Sequence, residues 1–197
     1  MGDKAFKNCE YLVSLTGASG VIYGFRLMEE LLRQGARVAI AVSESARQML
    51  ADELNYVMPQ DPTQGVELLR GSFDCLPDQI ELFDREYCRL CAENGLPLFE
   101  RMAVCPATVG TIAAVRAGLS NSDVQMAAQW ALRRGKRLVL CPRESPLSAL
   151  DLQNMADLAR LGARIVPASP SFVRQPTTID QLVKSMVDSV MAVLREP

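Results

Sequence analysis

Residues 10–35 give the first indication of the fold, and their sequence is EYLVSLTGASGVIYGFRLMEELLRQG. Glu10–Leu15 is a short apolar run that predicts a β-strand, and it ends at the turn Thr16–Gly20. Val21–Gln34 then carries apolar residues at the spacing of an amphipathic helix, which Gly35 closes as a C-cap. Strand, glycine turn and helix in this order are typical of an α/β protein with a parallel sheet.

The same alternation continues along the chain. Further strands are predicted at Ala36–Val42, Met102–Cys105, Arg137–Cys141 and Arg164–Val166. Further helices are predicted from Ser43 to about Leu54, over Ser122–Arg134, Leu147–Leu161 and Ile179–Leu194, and within Pro106–Ala117 as a helix or the loop that opens one. Because both faces of the strands are apolar, helices must cover both sides of the sheet. We therefore expect one domain over residues 1–197, a three-layer α/β/α sandwich with a mostly parallel, Rossmann-like or flavodoxin-like sheet.

Residues 55–100 are harder to assign. Ile80–Phe83 is a candidate strand, whereas Asn55–Ser72 and Asp84–Phe99 combine mixed hydrophobic patterns with several prolines. The sequence predicts no regular element for these two segments.

The composition excludes several classes of function. The 197 residues contain no histidine, which excludes Ser-His-Asp and Cys-His catalysis and histidine-ligated metals. A net charge of −2 offers no basic surface for nucleic acid or anionic membranes. The apolar runs are too short to span a bilayer, and the polar N-terminus does not resemble a signal peptide. We expect a cytoplasmic protein with neither nucleic-acid nor membrane partners.

The six cysteines agree with a reducing compartment. Cys105 and Cys141 lie in strand-like apolar runs and are expected to be buried. Cys88 and Cys91 form a C-x-x-C pair for which metal or redox roles are conceivable, but no second pair follows. We expect these two to be loop cysteines and predict no metal.

Four strand-to-helix loops hold the candidate functional residues: Thr16–Gly20, the loop beginning at Ser43, Pro106–Thr111 and Pro142–Pro146. In a parallel sheet these loops meet beyond the carboxyl ends of the strands, where ligands bind. Glycines let a phosphate approach the backbone, and the following helix offers free N–H groups with partial positive charge. Ser19 adds a hydroxyl donor. A phosphate-bearing cofactor is therefore predicted here.

Each loop also has a purely structural explanation. The glycine turn requires no ligand, Ser43 is a typical helix cap, and Arg143 and Glu144 are able to form a surface ion pair. A dinucleotide site is a further alternative because of Gly17, Gly20 and Gly24. The last glycine interval is one residue too long for extended short-chain dehydrogenases, and the chain has no Tyr-x-x-x-Lys.

Several spaced motifs together resemble the UbiX-type flavin prenyltransferases, within the wider flavoprotein family that includes phosphopantothenoylcysteine decarboxylases. The resemblance covers residues 14–32, 42–53 and 103 to about 194. The matching motifs are Thr16–Gly20 with Tyr23-Gly24, Ser43, Cys105-Pro106 with Gly110-Thr111, Arg143–Pro146, Asn154-Met155 and Pro170–Phe172 with Pro176. The decarboxylase branch relies on a catalytic histidine, which this chain lacks.

The resemblance implies an FMN-binding homo-oligomer, in the family usually a dodecamer, with FMN between subunits. Family enzymes join a dimethylallyl group from dimethylallyl phosphate to reduced FMN without a metal, and the product serves UbiD-type decarboxylases. By the resemblance, FMN is bound by Gly17, Ala18, Ser19, Ser43, Thr108, Thr111 and Arg143. Catalytic positions around the prenyl phosphate and the flavin fall on Glu53, Arg143, Glu144 and Arg133.

The prenyl-phosphate half of the pattern departs from the family. The family's phosphate-binding Lys falls on Arg133, and its Arg, Tyr and Arg fall on Met126, Val173 and Ser189. The flavin-covering Gly/Ser-rich loop corresponds to Asp84–Phe99, and Arg174 is a possible compensating cation. Two functions stay open at this point. One is a flavin prenyltransferase; the other is a flavoprotein that stores, carries or uses FMN without prenylating it.

Overall fold

A computed structural model describes residues 8–76, 78–173 and 175–196. The strands are β1 (Tyr11–Leu15), β2 (Val38–Val42), β3 (Ile80–Leu82), β4 (Arg101–Ala107), β5 (Arg137–Pro142) and β6 (Arg164–Ile165). They form one sheet in the order β3-β2-β1-β4-β5-β6, and each pair within the described residues is parallel. This is the order of doubly wound, Rossmann-like sheets, in which the strand sequence reverses between β1 and β4.

Helices cover both faces of the sheet. They are α1 (Val21–Arg33), α2 (Glu44–Leu54), α3 (Pro62–Phe73), α4 (Arg85–Glu93), α5 (Val109–Arg116), α6 (Asp123–Arg133), α7 (Ala149–Arg160) and α8 (Ile179–Arg195). Helices α1, α2, α3 and α8 pack on one face, and α4 to α7 pack on the other. Across the described ranges, no helix combines the length and apolar character needed to cross a membrane.

The sheet separates two hydrophobic cores. In β1, Val13 and Leu15 enter the core under α1 and α8, whereas Leu12 enters the core under α5 and α6. Successive side chains of a strand point to opposite faces, so a strand buried on both sides is mostly apolar, and Ser14 is the one polar residue of β1. This double burial confirms the predicted three-layer sandwich, and the sheet is wholly parallel among the described strands.

Two helices lie where the sequence predicted no regular element. Asp61 caps the N-terminus of α3, and its carboxylate accepts the Gln64 N–H at 2.9 Å. Gly65 and Gly71 weaken the helical pattern of the α3 sequence. Helix α4 is short and highly charged. The prediction of loop cysteines is therefore wrong, because Cys88 and Cys91 lie within α4.

Candidate functional site

The four loops singled out in the sequence follow four neighbouring strands. Strands β2, β1, β4 and β5 are adjacent in the sheet, so the starts of α1, α2 and α5 and the loop after β5 lie side by side at the carboxyl edge. The reversal of strand order between β1 and β4 opens a crevice at this edge, where doubly wound proteins bind their ligands.

Gly17 lies directly against the first turn of α2. A Cβ atom built on Gly17 would lie 2.5 Å from both Cβ and Oγ of Ser45, so a larger residue would displace α2. The glycine therefore lets the Thr16–Gly20 turn pack closely against the start of α2. The sequence did not mark Ser45, because its contact with Gly17 is long-range.

The N-terminus of α1 is already occupied by a carboxylate. The Gly20 N–H donates to Glu53 Oε2 at 2.9 Å, and the Val21 N–H donates to the same oxygen at 3.2 Å. Gly20 has no side chain to cap the helix, so Glu53 from the last turn of α2 does so. The expectation of free N–H groups at the start of α1 is not met at these two residues. Ala18 and Ser19 lie in the preceding turn, buried and half-buried respectively.

Ser43 and Ser45 form a hydroxyl pair at the start of α2. Ser43 Oγ accepts the Ala46 N–H at 3.1 Å, which confirms the predicted helix cap. The two serine hydroxyl oxygens are 3.1 Å apart. Each hydroxyl carries one proton, and their mutual hydrogen bond uses one of the two. One proton remains to be donated to a ligand.

Thr108 and Thr111 form the equivalent pair at the start of α5. Thr108 Oγ1 accepts the Thr111 N–H at 3.1 Å and donates to Thr111 Oγ1 at 2.9 Å. Within the part of the chain that the structure describes, Thr111 donates its own hydroxyl proton to no residue. The two hydroxyl pairs at α2 and α5 thus each offer a donor at a helix N-terminus, an arrangement suited to an anion.

Thr16 connects the first and third loops. Its hydroxyl donates to the Pro106 carbonyl oxygen at 2.8 Å and accepts the Thr108 N–H at 2.9 Å. No individual role was predicted for Thr16, because both contacts are with residues about 90 positions away in the chain.

Arg143 and Glu144 are exposed after β5. The predicted alternative of a surface ion pair is not observed, since neither residue forms a salt bridge with any described residue. Glu144 Oε1 accepts the N–H of Ser145 at 2.9 Å. Both line a cavity of about 610 Å³, whose walls include Leu147, Leu152 and Met155. The charges are therefore available beside an apolar cleft.

Arg133 is not brought together with the other predicted residues. It is exposed in the last turn of α6, just before the turn that enters β5 from the amino edge of the sheet. The six residues of β5 span about 20 Å, so within one chain Arg133 and Arg143 lie at opposite edges.

The three positions at which the chain departs from the family pattern, Met126, Val173 and Ser189, supply no cation. Met126 packs against the core under α6, and Val173 is 90% exposed. Ser189 Oγ donates to the Ser185 carbonyl at 3.0 Å within α8. Arg174 lies outside the described residues.

The C-x-x-C pair is packed into the molecule. Cys91 is buried and Cys88 half-buried, and burial raises the pKa of the Cys88 thiol to about 11 and the pKa of Cys91 above its usual value. Thiols with raised pKa values are poor nucleophiles and poor metal ligands near neutral pH. Their packing against the core under α4 is a sufficient structural explanation.

The fold and the site define a doubly wound α/β protein with hydroxyl-capped helix N-termini at its topological switch point. The flavoprotein family model matches residues 3–195. The chain belongs to the flavoprotein family.

Flavin prenyltransferases are among its relatives. The chain is 34% identical over 185 residues to the flavin prenyltransferase UbiX of Pseudomonas aeruginosa, covering 94% of this chain and 88% of the relative. Phenylacrylic acid decarboxylase from Aquifex aeolicus superposes with a TM-score of 0.77 at 26% identity, over 96% of this chain and 98% of the other. The dodecameric FMN-dependent UbiX-like decarboxylase of Escherichia coli O157:H7 superposes with a TM-score of 0.74 at 28% identity, over 92% of this chain and 91% of the other.

Proposed function

We propose that this chain binds FMN and is a flavin prenyltransferase that joins a dimethylallyl group from dimethylallyl phosphate to reduced FMN. The observation that carries the proposal is the pair of hydroxyl-capped helix N-termini, at Ser43 and at Thr108, on either side of the Gly17 turn. The similarity of the chain to flavin prenyltransferases, including the one of Pseudomonas aeruginosa, supports the reaction.

The residues present fit an FMN molecule. A phosphate dianion is stabilised by hydroxyl and backbone donors at helix N-termini. The Ser43–Ser45 pair at α2 and Thr111 at α5 each have one hydroxyl proton to donate, and Thr108 holds Thr111 in place. Because Glu53 already caps α1, we place the phosphate at α2 and α5. Gly17, Ala18 and Ser19 then contact the remainder of the flavin, and the missing Cβ of Gly17 lets this turn lie against the start of α2, where Ser43 and Ser45 are.

The chemistry needs little from the protein beyond orientation and charge. Reduced FMN supplies the nucleophilic atoms that take the allyl group. The exposed guanidinium of Arg143 binds the phosphate that leaves with the electrons of the broken C–O bond. Glu144 accepts a proton from the flavin ring as the new carbon bond forms, and Glu53 is the second carboxylate of the site.

Binding of the prenyl phosphate should be weak. Met126, Val173 and Ser189 stand where the resemblance places two arginines and a tyrosine, and Ser189 is already hydrogen-bonded within α8. Each lost charge-assisted hydrogen bond costs about 1.5–3 kcal/mol. The proposed enzyme therefore has a high KM for dimethylallyl phosphate, and Arg133 and Arg143 are the cations that the resemblance still assigns to the site of this phosphate.

A homo-oligomer is part of the proposal. The Escherichia coli relative is described as dodecameric, and this chain exposes Leu150 by 68% and Leu152 by 54% on α7, next to the Arg143 loop. Exposed apolar side chains beside a charged site are typical of a subunit interface. We further propose a UbiD-type decarboxylase as the recipient of the prenylated FMN.

The test is a binding measurement followed by an anaerobic assay. Purified protein should bind FMN stoichiometrically and NAD(H) weakly, and with reduced FMN and millimolar dimethylallyl phosphate it should form prenylated FMN, identified by mass. Arg143→Ala should abolish the product. Arg164→Ala is the matched control, because Arg164 is an exposed arginine paired with Glu196 away from this edge. Tight FMN binding without product at any concentration would instead support the non-prenylating flavoprotein, and absence of FMN binding would refute both.

A further inference from the structure

The Thr16 hydroxyl is held in a single orientation. It is 2% exposed, donates its one proton to the Pro106 carbonyl and accepts the N–H of Thr108. The backbone N–H of Thr16 also donates to Pro106 O, at 3.3 Å. A threonine hydroxyl has one proton and two lone pairs, so these contacts leave it little freedom to rotate. Thr16 thereby fixes the backbone of residues 106–108 relative to β1.

The hydrogen bonds continue from Thr16 to the first turn of α5, next to the proposed FMN phosphate. Thr108, whose backbone Thr16 holds, uses its hydroxyl to bind both the N–H and the hydroxyl of Thr111. Because Thr111 Oγ1 is the acceptor in that bond, its proton is directed away from Thr108. The direction of this free proton thus depends on a side chain in the loop after β1.

We infer that Thr16 is a positioning residue for the FMN phosphate, and that it acts through Thr108 on the donors of Thr111 and the first turn of α5. This inference rests on the proposed FMN site. Thr16 itself does not touch the ligand, since it is buried beneath the crevice. Removing the Thr16 hydroxyl should nevertheless weaken FMN binding. Without it the Thr108 N–H loses its acceptor, and the start of α5 is free to rotate away from the phosphate.

A second hydroxyl in the chain provides a reference amide for comparison with that of Thr108. Tyr87 Oη accepts the Cys9 N–H at 2.9 Å and donates to the Leu98 carbonyl at 2.7 Å. It therefore also bridges a backbone N–H and a carbonyl from separate segments. Cys9 precedes β1, so this second bridge lies at the amino edge of the sheet, away from the proposed site.

The experiment is a double-mutant cycle on the dissociation constant for FMN. Thr16→Val, which keeps the shape and removes the hydroxyl, should weaken FMN binding by about 10-fold to 100-fold, the loss typical of one hydrogen bond to a charged group. Thr16→Ser, which keeps the hydroxyl, should stay within about threefold of wild type. Thr16→Val combined with Thr111→Val should bind no more than about threefold more weakly than Thr111→Val alone, because the two residues act in series. Gln79→Met removes a buried side chain that bridges the Leu76 N–H and the Leu32 carbonyl directly before β3, and it should leave FMN affinity unchanged.

The outcomes separate this inference from the proposed function. If wild-type protein binds no FMN, the proposed function fails. If it binds FMN and Thr16→Val binds it equally well, or if the two substitutions add fully, the positioning role is refuted. Should Thr16→Val not fold, hydrogen exchange on the wild type decides: FMN should slow exchange of the Thr108 and Thr111 amides more than that of the Cys9 amide. Equal protection of the three would overturn the inference.

Discussion

Glu53 shows how a single side chain completes a helix that its own sequence leaves uncapped. Helix α1 begins after Gly20, which has no side-chain oxygen, and Glu53 is 33 residues further along the chain. Its carboxylate satisfies two N–H groups and places a negative charge at the positive end of the helix. The same contact decides which helix N-termini remain available to an anionic ligand.

Replacing this cap should destabilise the protein measurably. Glu53→Ala should lower the free energy of unfolding by about 0.5–2 kcal/mol, the usual cost of losing a helix cap. Asp52→Ala is the control, because it removes the same charge from the same turn of α2. Among the described residues, the Asp52 carboxylate accepts a hydrogen bond from the Gln48 side chain and none from α1. The effect of Asp52→Ala should stay within about 0.5 kcal/mol. Urea denaturation of the FMN-free protein measures both, and equal effects of the two substitutions would contradict the capping role.

The sequence predicts local contacts between residues and misses the distant ones. Ser43 caps α2 through a residue three positions later, and Thr108 does the same for α5, so both were visible as hydroxyls at strand ends. Thr16, Ser45 and Glu53 act on residues that the fold alone brings near, and no periodicity or spacing records such pairings. The roles assigned to individual site residues stay predictions.

At the scale of elements, helix α1 packs directly against β4 at Gly24. A Cβ atom added to Gly24 of α1 would lie 2.0 Å from the Cys105 carbonyl oxygen and 2.3 Å from Leu15 Cδ2. The glycine thus allows α1 to lie directly on the sheet, which brings the Thr16–Gly20 turn next to the loop after β4. This close packing explains why Gly24 accompanies the turn in the sequence.

Gly24→Ala should therefore be destabilising, by about 1–3 kcal/mol or more, because neither the backbone carbonyl nor the packed leucine has room to move. Gly71→Ala in α3 is the matched control. A Cβ there would meet nothing within 4 Å and its φ is not positive, so alanine should stabilise the protein by about 0.4–1 kcal/mol. Thermal unfolding compares the two, and a Gly24→Ala protein as stable as wild type would refute the packing argument.

Elements with strong periodicity were predictable, and elements stabilised by local charge were not. The strands β1, β2, β4 and β5 are buried on both faces, so their sequences are apolar apart from Ser14 and the arginines that begin β4 and β5. Helix α4 buries only Tyr87 and Cys91, and Arg89 pairs with Glu86 and Glu93 on its exposed side. Such a helix has little hydrophobic pattern to detect, and its length was obscured by the prolines on either side.

At the scale of the whole molecule, Arg133 raises a problem that one chain does not solve. The resemblance assigns it to the same site as Arg143, but the two lie at opposite edges of the sheet, about 20 Å apart along β5. Both assignments hold together only if Arg133 of one subunit enters the site of another. The proposed homo-oligomer, testable by light scattering, would permit this.

Subunit mixing tests this arrangement directly. Arg133→Ala and Arg143→Ala subunits should each form oligomers with little prenyl transfer. When the two are co-expressed in equal amounts, a site that takes Arg143 from one subunit and Arg133 from another is intact about a quarter of the time if assembly is random. Activity, measured as prenylated FMN by mass, should therefore return to about a quarter of the wild-type value.

The control mixture pairs Arg143→Ala with Glu144→Gln. These two residues follow each other in the loop after β5 and must enter any site from the same subunit. No mixture of these variants contains an intact site, so activity should not return. Recovery in the first mixture and not in the second is the pattern that a shared site requires. If Arg133→Ala alone is fully active, or if the first mixture stays inactive, Arg133 does not belong to the site, and phosphate binding must depend on Arg143 and its own subunit.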